Sequence, residues 1–196
     1  MNRKMQHILM SVLLLLAGIG RAQNYPVQTF VTLSPPYSSY FPDYSDPANN
    51  QMQIILTLTD FNAPPVDVRL RFNISGPNNN FVLTSVDPTF FPLITLQPGI
   101  PTVITGSDLA PYLNPDNLNF QGLNKDEYLQ TQLIPEGLTS ICVEVLDASS
   151  NNTVLSNPAC AQNWFSKKDP PILTMPFCGD EITPFDPQSM VFNWTP

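Results

Sequence analysis

Val66-Asp67-Val68-Arg69-Leu70-Arg71-Phe72-Asn73-Ile74-Ser75 is the stretch that decides the fold. Val66, Val68, Leu70, Phe72 and Ile74 fall on one side of an extended chain, and Asp67, Arg69, Arg71, Asn73 and Ser75 on the other. Alternation sustained this long predicts a strand with one dry face and one wet face. Each apolar side chain contributes on the order of 1.5–3 kcal/mol if fully buried. Gly76-Pro77-Asn78-Asn79-Asn80 closes the strand as a turn.

Residues 138–147 repeat the pattern after the turn Pro135-Glu136-Gly137, with Ile141, Val143 and Val145 inward and Ser140, Cys142 and Glu144 outward. Weaker strands are expected at 27–33, 53–59, 81–86, 93–96, 102–105 and 159–165. Short strands at this spacing, separated by turn residues, predict an all-β, immunoglobulin/fibronectin-like β-sandwich. Two short helical turns are expected within it. Ser107 is read as the cap of 108–112, which Pro111 keeps to about one turn. Asn124 with Glu127 reads as a capping box for 125–131.

The composition agrees with strands. The chain has 22 Pro against 8 Gly, with 42% hydrophobic and only 12% charged residues. Proline at that density forbids a long helix, while low charge and abundant apolar residues argue against disorder.

The ends read differently from the middle. Arg3 and Lys4 precede an apolar run from Ile8 to Ile19, and Gly20-Arg21-Ala22 follows it. This is the pattern of a secretory signal peptide cut after Ala22. The run is about twelve residues, too short to span a bilayer of ~30 Å as a helix, so no transmembrane span is expected. At the other end, Lys167-Lys168-Asp169-Pro170-Pro171 opens a Pro-rich stretch, and Met190-Val191-Phe192-Asn193-Trp194 alternates again. The expected organisation is a signal peptide at 1–22, a sandwich domain at 23–168, a linker at 169–187 and the start of a second, fibronectin type III-like domain at 188–196.

Charge narrows the range of partners. Three of the 8 Lys+Arg lie in the leader, whereas all 16 Asp+Glu lie beyond it. The five cations that remain, Arg69, Arg71, Lys125, Lys167 and Lys168, are too scattered to bind nucleic acid or an anionic membrane. The only histidine, His7, belongs to the leader, which removes the commonest general base and zinc ligand from the processed chain. The chain is therefore read as non-enzymatic, with no cofactor and no metal centre.

Each residual candidate has a competing structural reading. Asp43, Asp46, Asp180 and Glu181 could form a hydrolytic carboxylate pair, but they sit in proline-rich turns where solvated acids are normal. Asp43 and Asp46, with Asn49 and Asn50, are candidate calcium ligands; turn-forming Asx side chains explain them equally well. Tyr37, Tyr40 and Tyr44 are candidate glycan contacts, the competing reading being a proline-rich segment that lays its rings over the sandwich as a lid. Trp164-Phe165 invites the same two readings, glycan contact or packing, and is read as strand-end packing. Asn73-Ile74-Ser75, Asn151-Asn152-Thr153 and Asn193-Trp194-Thr195 match the glycosylation pattern and are read as idle.

Several stretches together carry a resemblance. These are Pro35-Pro36-Tyr37-Ser38-Ser39-Tyr40, Gly106-Ser107-Asp108-Leu109-Ala110-Pro111-Tyr112, Pro135-Glu136-Gly137, Cys142-Val143-Glu144-Val145, Asn157-Pro158-Ala159-Cys160-Ala161 and Phe192-Asn193-Trp194-Thr195-Pro196. In this order they resemble the N-terminal region of large exported Bacteroidota proteins labelled TANFOR-domain proteins, which continue into fibronectin type III-like modules. The resemblance implies a cell-envelope or surface protein with a structural or adhesion role and further domains in the same chain. Its partner would be a protein or a cell-surface glycan. Alternatives are a carbohydrate-binding or adhesin module, or a subunit of an outer-membrane export or motility assembly.

The resemblance also implies that Cys142 pairs with Cys160, leaving Cys178 unpaired among the given residues. The polar stretch between the first two could set them on adjacent strands, closing a loop of about 18 residues worth roughly 3 kcal/mol. Pairing of Cys160 with Cys178 stays open as the alternative.

Overall fold

The structure is a computed structural model that describes residues 25–76, 78, 80–167, 172–175 and 191–195. The leader at 1–22, Cys178, Asp180 and Glu181 lie outside the described residues.

The decisive stretch becomes β3 (Val66–Gly76), and its dry face is the one its sequence dictates. Val68, Leu70, Phe72 and Ile74 are all 0% exposed. One edge of β3 pairs antiparallel with β8 (Gly137–Asp147), from Val68↔Asp147 to Ser75↔Ser140. The other edge is shared by two short strands. β4 (Phe81–Ser85) takes the C-terminal half, Asn73↔Thr84 to Gly76↔Phe81, and β5 (Ile94–Leu96) takes Val66 to Val68. Between them the Phe72 N–H donates to Ser85 Oγ at 2.8 Å, which satisfies a donor that neither strand reaches. β9 (Ala159–Phe165) extends the sheet beyond β8, and β7 (Leu118–Gln121) extends it beyond β4.

The second layer is β1 (Val27–Leu33), β2 (Met52–Leu58) and β6 (Thr102–Thr105), in the order β1-β2-β6. Met52, Ile54, Leu56 and Leu58 of β2 point inward with Ile104 of β6, facing β3 and β8 in one continuous core. β1, β2 and β6 thus form one sheet, and β3, β8 and β9 are the central strands of the other. This is the order of an immunoglobulin-type sandwich, with β4 beside β3. The all-β sandwich expected from the sequence is the fold of the chain.

The long passage from β6 to β8 supplies the rest of the core. Gly106 ends β6 at φ 52°, where a Cβ would stand 2.8 Å from Pro47 Cα, so this turn requires glycine. The chain then makes a 3-10 turn and a one-turn helix, Ala110–Leu113, whose Tyr112 stacks between Phe72 and Phe91 with ring centroids 5.2 and 4.7 Å away. The Lys125–Thr131 helix begins as expected: Asn124 Oδ1 accepts from the Asp126 N–H at 2.9 Å and the Glu127 N–H at 3.5 Å. It buries Tyr128.

One expectation needs correction, and two elements go beyond what was expected. Ser107 is not a cap; it sits within the Gly106–Leu109 3-10 turn, because the chain turns immediately at Gly106. β7 is a strand the sequence does not announce, since only Leu118 of its four residues is buried. Within the stretch read as a linker, β10 (Ile172–Met175) pairs antiparallel with β11 (Asn193–Thr195) in a separate two-stranded sheet. A proline-rich sequence can still provide an edge-type strand between its prolines.

The two faces of β3 and the buried phenols yield three predictions. Phe72→Ala removes a ring packed against Tyr112, and urea unfolding is expected to show a loss of about 3–5 kcal/mol. Asn73→Ala, on the wet face, is expected to stay within about 0.5 kcal/mol of the parent. On the alkaline side, burial raises the phenol of Tyr112 to about 12 and pushes those of Tyr44 and Tyr128 up further. In the unfolded chain these groups ionise near the ordinary value of 10.0. Their contribution is therefore intact below pH 10 and is lost as the pH rises toward 12, because only the unfolded chain sheds protons there. Thermal midpoints should be flat up to pH 10 and fall above it, with tyrosinate absorbance from these three appearing together with unfolding.

Candidate functional site

The outer face of the larger sheet is a polar array built by strand register. One row across it reads Asn119, Thr84, Asn73, Cys142 and Cys160 on β7, β4, β3, β8 and β9. The next row reads Gln121, Val82, Ser75, Ser140 and Gln162. Neither row contains a charge, although the chain as a whole carries −8. On one side of these rows Arg71 pairs with Glu144: Arg71 Nε donates to Glu144 Oε2 at 2.8 Å, and Nη2 meets the same oxygen. Both side chains are partly exposed, so the pair is worth at most about 1 kcal/mol. On the other side Leu138 pairs with Trp164, whose indole is 63% exposed.

A cleft of about 460 Å³ opens on this face beside the ion pair, lined by Arg71, Asn73, Thr84, Cys142, Glu144 and Pro158. Cys142 and Cys160 are directly opposed across β8 and β9 and form a disulfide. The pairing implied by the resemblance is the one the structure contains. It is a surface staple rather than a core bridge, because Cys142 shares the outward face with Ser140 and Glu144. The reversal that brings β9 alongside β8 is organised by Asp147. Its carboxylate accepts from the Ser149 hydroxyl at 2.7 Å and the Ser149 N–H at 2.8 Å, and the first of these leads in holding it below the usual carboxylate range.

The tyrosine segment proves to be a lid. Ser34 N–H bonds Gln51 O at 2.8 Å, closing the 34–51 loop at its base, and Ser39 N–H bonds Ser166 O at 2.9 Å. Tyr44 is 1% exposed, donates to Ser38 O at 3.0 Å, and stacks on Phe165 with centroids 5.2 Å apart. Its ring cannot meet a glycan, which corrects its place among the candidate contacts. Tyr37 is half-buried against the core. Tyr40 keeps an exposed ring, but its hydroxyl is taken up by Gln132 Oε1 at 2.6 Å. The three rings therefore form no common platform. Of the Trp164-Phe165 pair, Phe165 is core as expected, whereas Trp164 is not packed away.

Asp46 serves its own turn, accepting from the Ala48 N–H at 2.8 Å on one oxygen and from Asn49 Nδ2 at 2.9 Å on the other. That arrangement is an Asx turn, which uses the oxygens a calcium ion would need, so the reading of Asp43 and Asp46 as calcium ligands gains no support. Among the described residues no group of three or more His, Cys, Asp and Glu could hold a metal ion, and no helix is long and apolar enough to cross a membrane.

The opposite outer face carries a cross-strand apolar row, Phe30, Ile55 and Val103, without neighbouring amides in that row. Of the two readings open to Trp164, strand-end packing is the one its 63% exposure corrects. The signal was present: Trp164 shares the parity of Cys160 and Gln162 along 159–165, opposite to Phe165.

Reduction gives a direct check on the staple. Opening the Cys142–Cys160 bridge is expected to lower stability by roughly 3 kcal/mol while leaving the far-ultraviolet strand signature intact. Peptide mass mapping before and after reduction identifies the linked pair. Comparison with family models, curated proteins and solved structures finds no match to this chain.

Proposed function

We propose that the chain is the N-terminal β-sandwich of an exported, non-enzymatic cell-envelope or surface protein, acting as a rigid structural or adhesion module. The observation that carries this reading is the Cys142–Cys160 bridge on a solvent-facing strand pair. A disulfide in such a position persists in an oxidising compartment and is reduced in a cytosol. The basic-then-apolar leader supports the same compartment from an independent part of the chain. Rigidity follows from the long β3–β8 ladder, the lid stitched over one end and the abundance of proline-set turns.

The resemblance to TANFOR-domain proteins supports a chain in which this sandwich precedes fibronectin type III-like modules. The antiparallel β10–β11 pair is what the opening strands of such a module would provide. Specific contacts then belong to exposed faces and loops rather than to a reactive centre.

Fractionation of cells expressing the gene tests this reading. The expected product begins at Gln23, resides in the envelope or the medium, is accessible to added protease, and has Cys142 and Cys160 protected from thiol alkylation until reduced. Unprocessed protein in the cytosol with freely alkylated Cys142 would overturn it.

A further inference from the structure

We infer that the outer face of the β7-β4-β3-β8-β9 sheet binds a neutral, extended glycan, with Trp164 as the stacking platform. This deepens the adhesion role proposed above by naming the ligand class and the surface. Three features of the face converge on it.

First, the two central rows offer amides and hydroxyls without charge. Asn73, Asn119, Gln121 and Gln162 each present donors and an acceptor to solvent. Sugar hydroxyls both donate and accept, so an uncharged amide array suits them, whereas a phosphate, sulfate or carboxylate would call for unpaired cations. Of the two cations on the wet side of β3, Arg71 is held by Glu144, and Arg69, further from the rows, donates its Nε–H to Phe91 O at 3.4 Å. An acidic chain adds a general repulsion toward anionic ligands.

Second, Trp164 is 63% exposed and stands against Leu138, with Gln162 one pleat away on the same face. A large ring left wet on a strand whose other face is half-buried or buried presents a flat apolar surface, with Leu138 beside it and Gln162 one pleat away. The apolar C–H face of a pyranose stacks on such a ring while its hydroxyls reach the neighbouring amides. From the Trp164 row to the Arg71 row there are three same-face steps, about 20 Å at ~6.8 Å each. That length suits an oligosaccharide laid along the strand direction rather than a single sugar. The 460 Å³ cleft at the far end gives it a second seat.

Third, the disulfide lies within this face and ties β9, the edge strand bearing Trp164, to β8. An edge strand held in register presents its side chains without an ordering cost at binding, which is the use of preorganisation. The staple thus has a role on the face as well as in the stability of the fold.

The test is a panel of immobilised gluco-, manno-, galacto- and xylo-oligosaccharides, with sialylated and sulfated glycans as the anionic arm, probed with the purified oxidised chain. Saturable binding to at least one neutral glycan is expected, weakened at least tenfold in Trp164→Ala and severalfold in Asn73→Ala and Gln162→Ala. Trp164→Phe should retain part of it, and Tyr40→Ala should leave it unchanged. Matching circular dichroism and urea midpoints identify the variants as folded. Absence of binding to every neutral glycan, binding only to the anionic arm, or binding indifferent to Trp164→Ala overturns the inference. None of these outcomes depends on where the protein resides, so fractionation can fail or succeed independently.

Discussion

The alternating face of β3 must be covered, and the structure is organised around meeting that requirement. Four consecutive inward positions, Val68, Leu70, Phe72 and Ile74, are completely withdrawn from water. At roughly 1.5–3 kcal/mol for each buried side chain, leaving such a face wet would cost an amount comparable to a domain's net stability. β8 extends the dry surface sideways, and the β1-β2-β6 sheet closes it from the front. The passage between β6 and β8 fills what remains with Leu109, Tyr112, Leu113 and Tyr128. Tyr112 is central to that filling, since it lies between a ring of β3 and a ring of the β4–β5 connection.

Burial on one side fixes orientation on the other. Because side chains alternate along a strand, packing Phe72 and Ile74 inward commits Asn73 and Ser75 to solvent, and packing Phe165 inward commits Trp164. Antiparallel register then aligns those outward residues into rows. The uncharged array, the exposed indole and the disulfide are by-products of core placement in a geometric sense, yet their composition is not forced by the core. An outward Trp and a chain-wide acidity that stops short of the central rows are choices at positions packing leaves free.

The lid shows the same economy on the aromatic segment. Ring faces that could have served a ligand are instead used to seal the end of the sandwich, with Tyr44 stacked on Phe165 and hydrogen-bonded to Ser38. A phenol is well suited to that place, since its body is apolar and its hydroxyl finds a backbone acceptor. Asp46 and Asp147 likewise serve local turns through carboxylate-to-backbone bonds.

The chain's periodicity by itself determined the two long strands, their dry and wet faces, and the sandwich class. Residues 66–75 and 138–147 are long enough that a register error would bury charges such as Arg71 or Glu144, so local pattern and global fold must agree. Asn124 was readable for a similarly local reason, a cap satisfying N–H groups two and three residues away. Other features depend on distant partners. β7 has too few buried residues to declare itself and exists because β4 offers an open edge. Ser107 lost its capping place to the turn that Gly106 makes against Pro47. The fates of Tyr44 and Trp164 were undecidable from composition, since aromatic rings serve core and surface alike. Only the arrival of β8 beside β9, and of the 34–51 loop over Phe165, buried one and exposed the other.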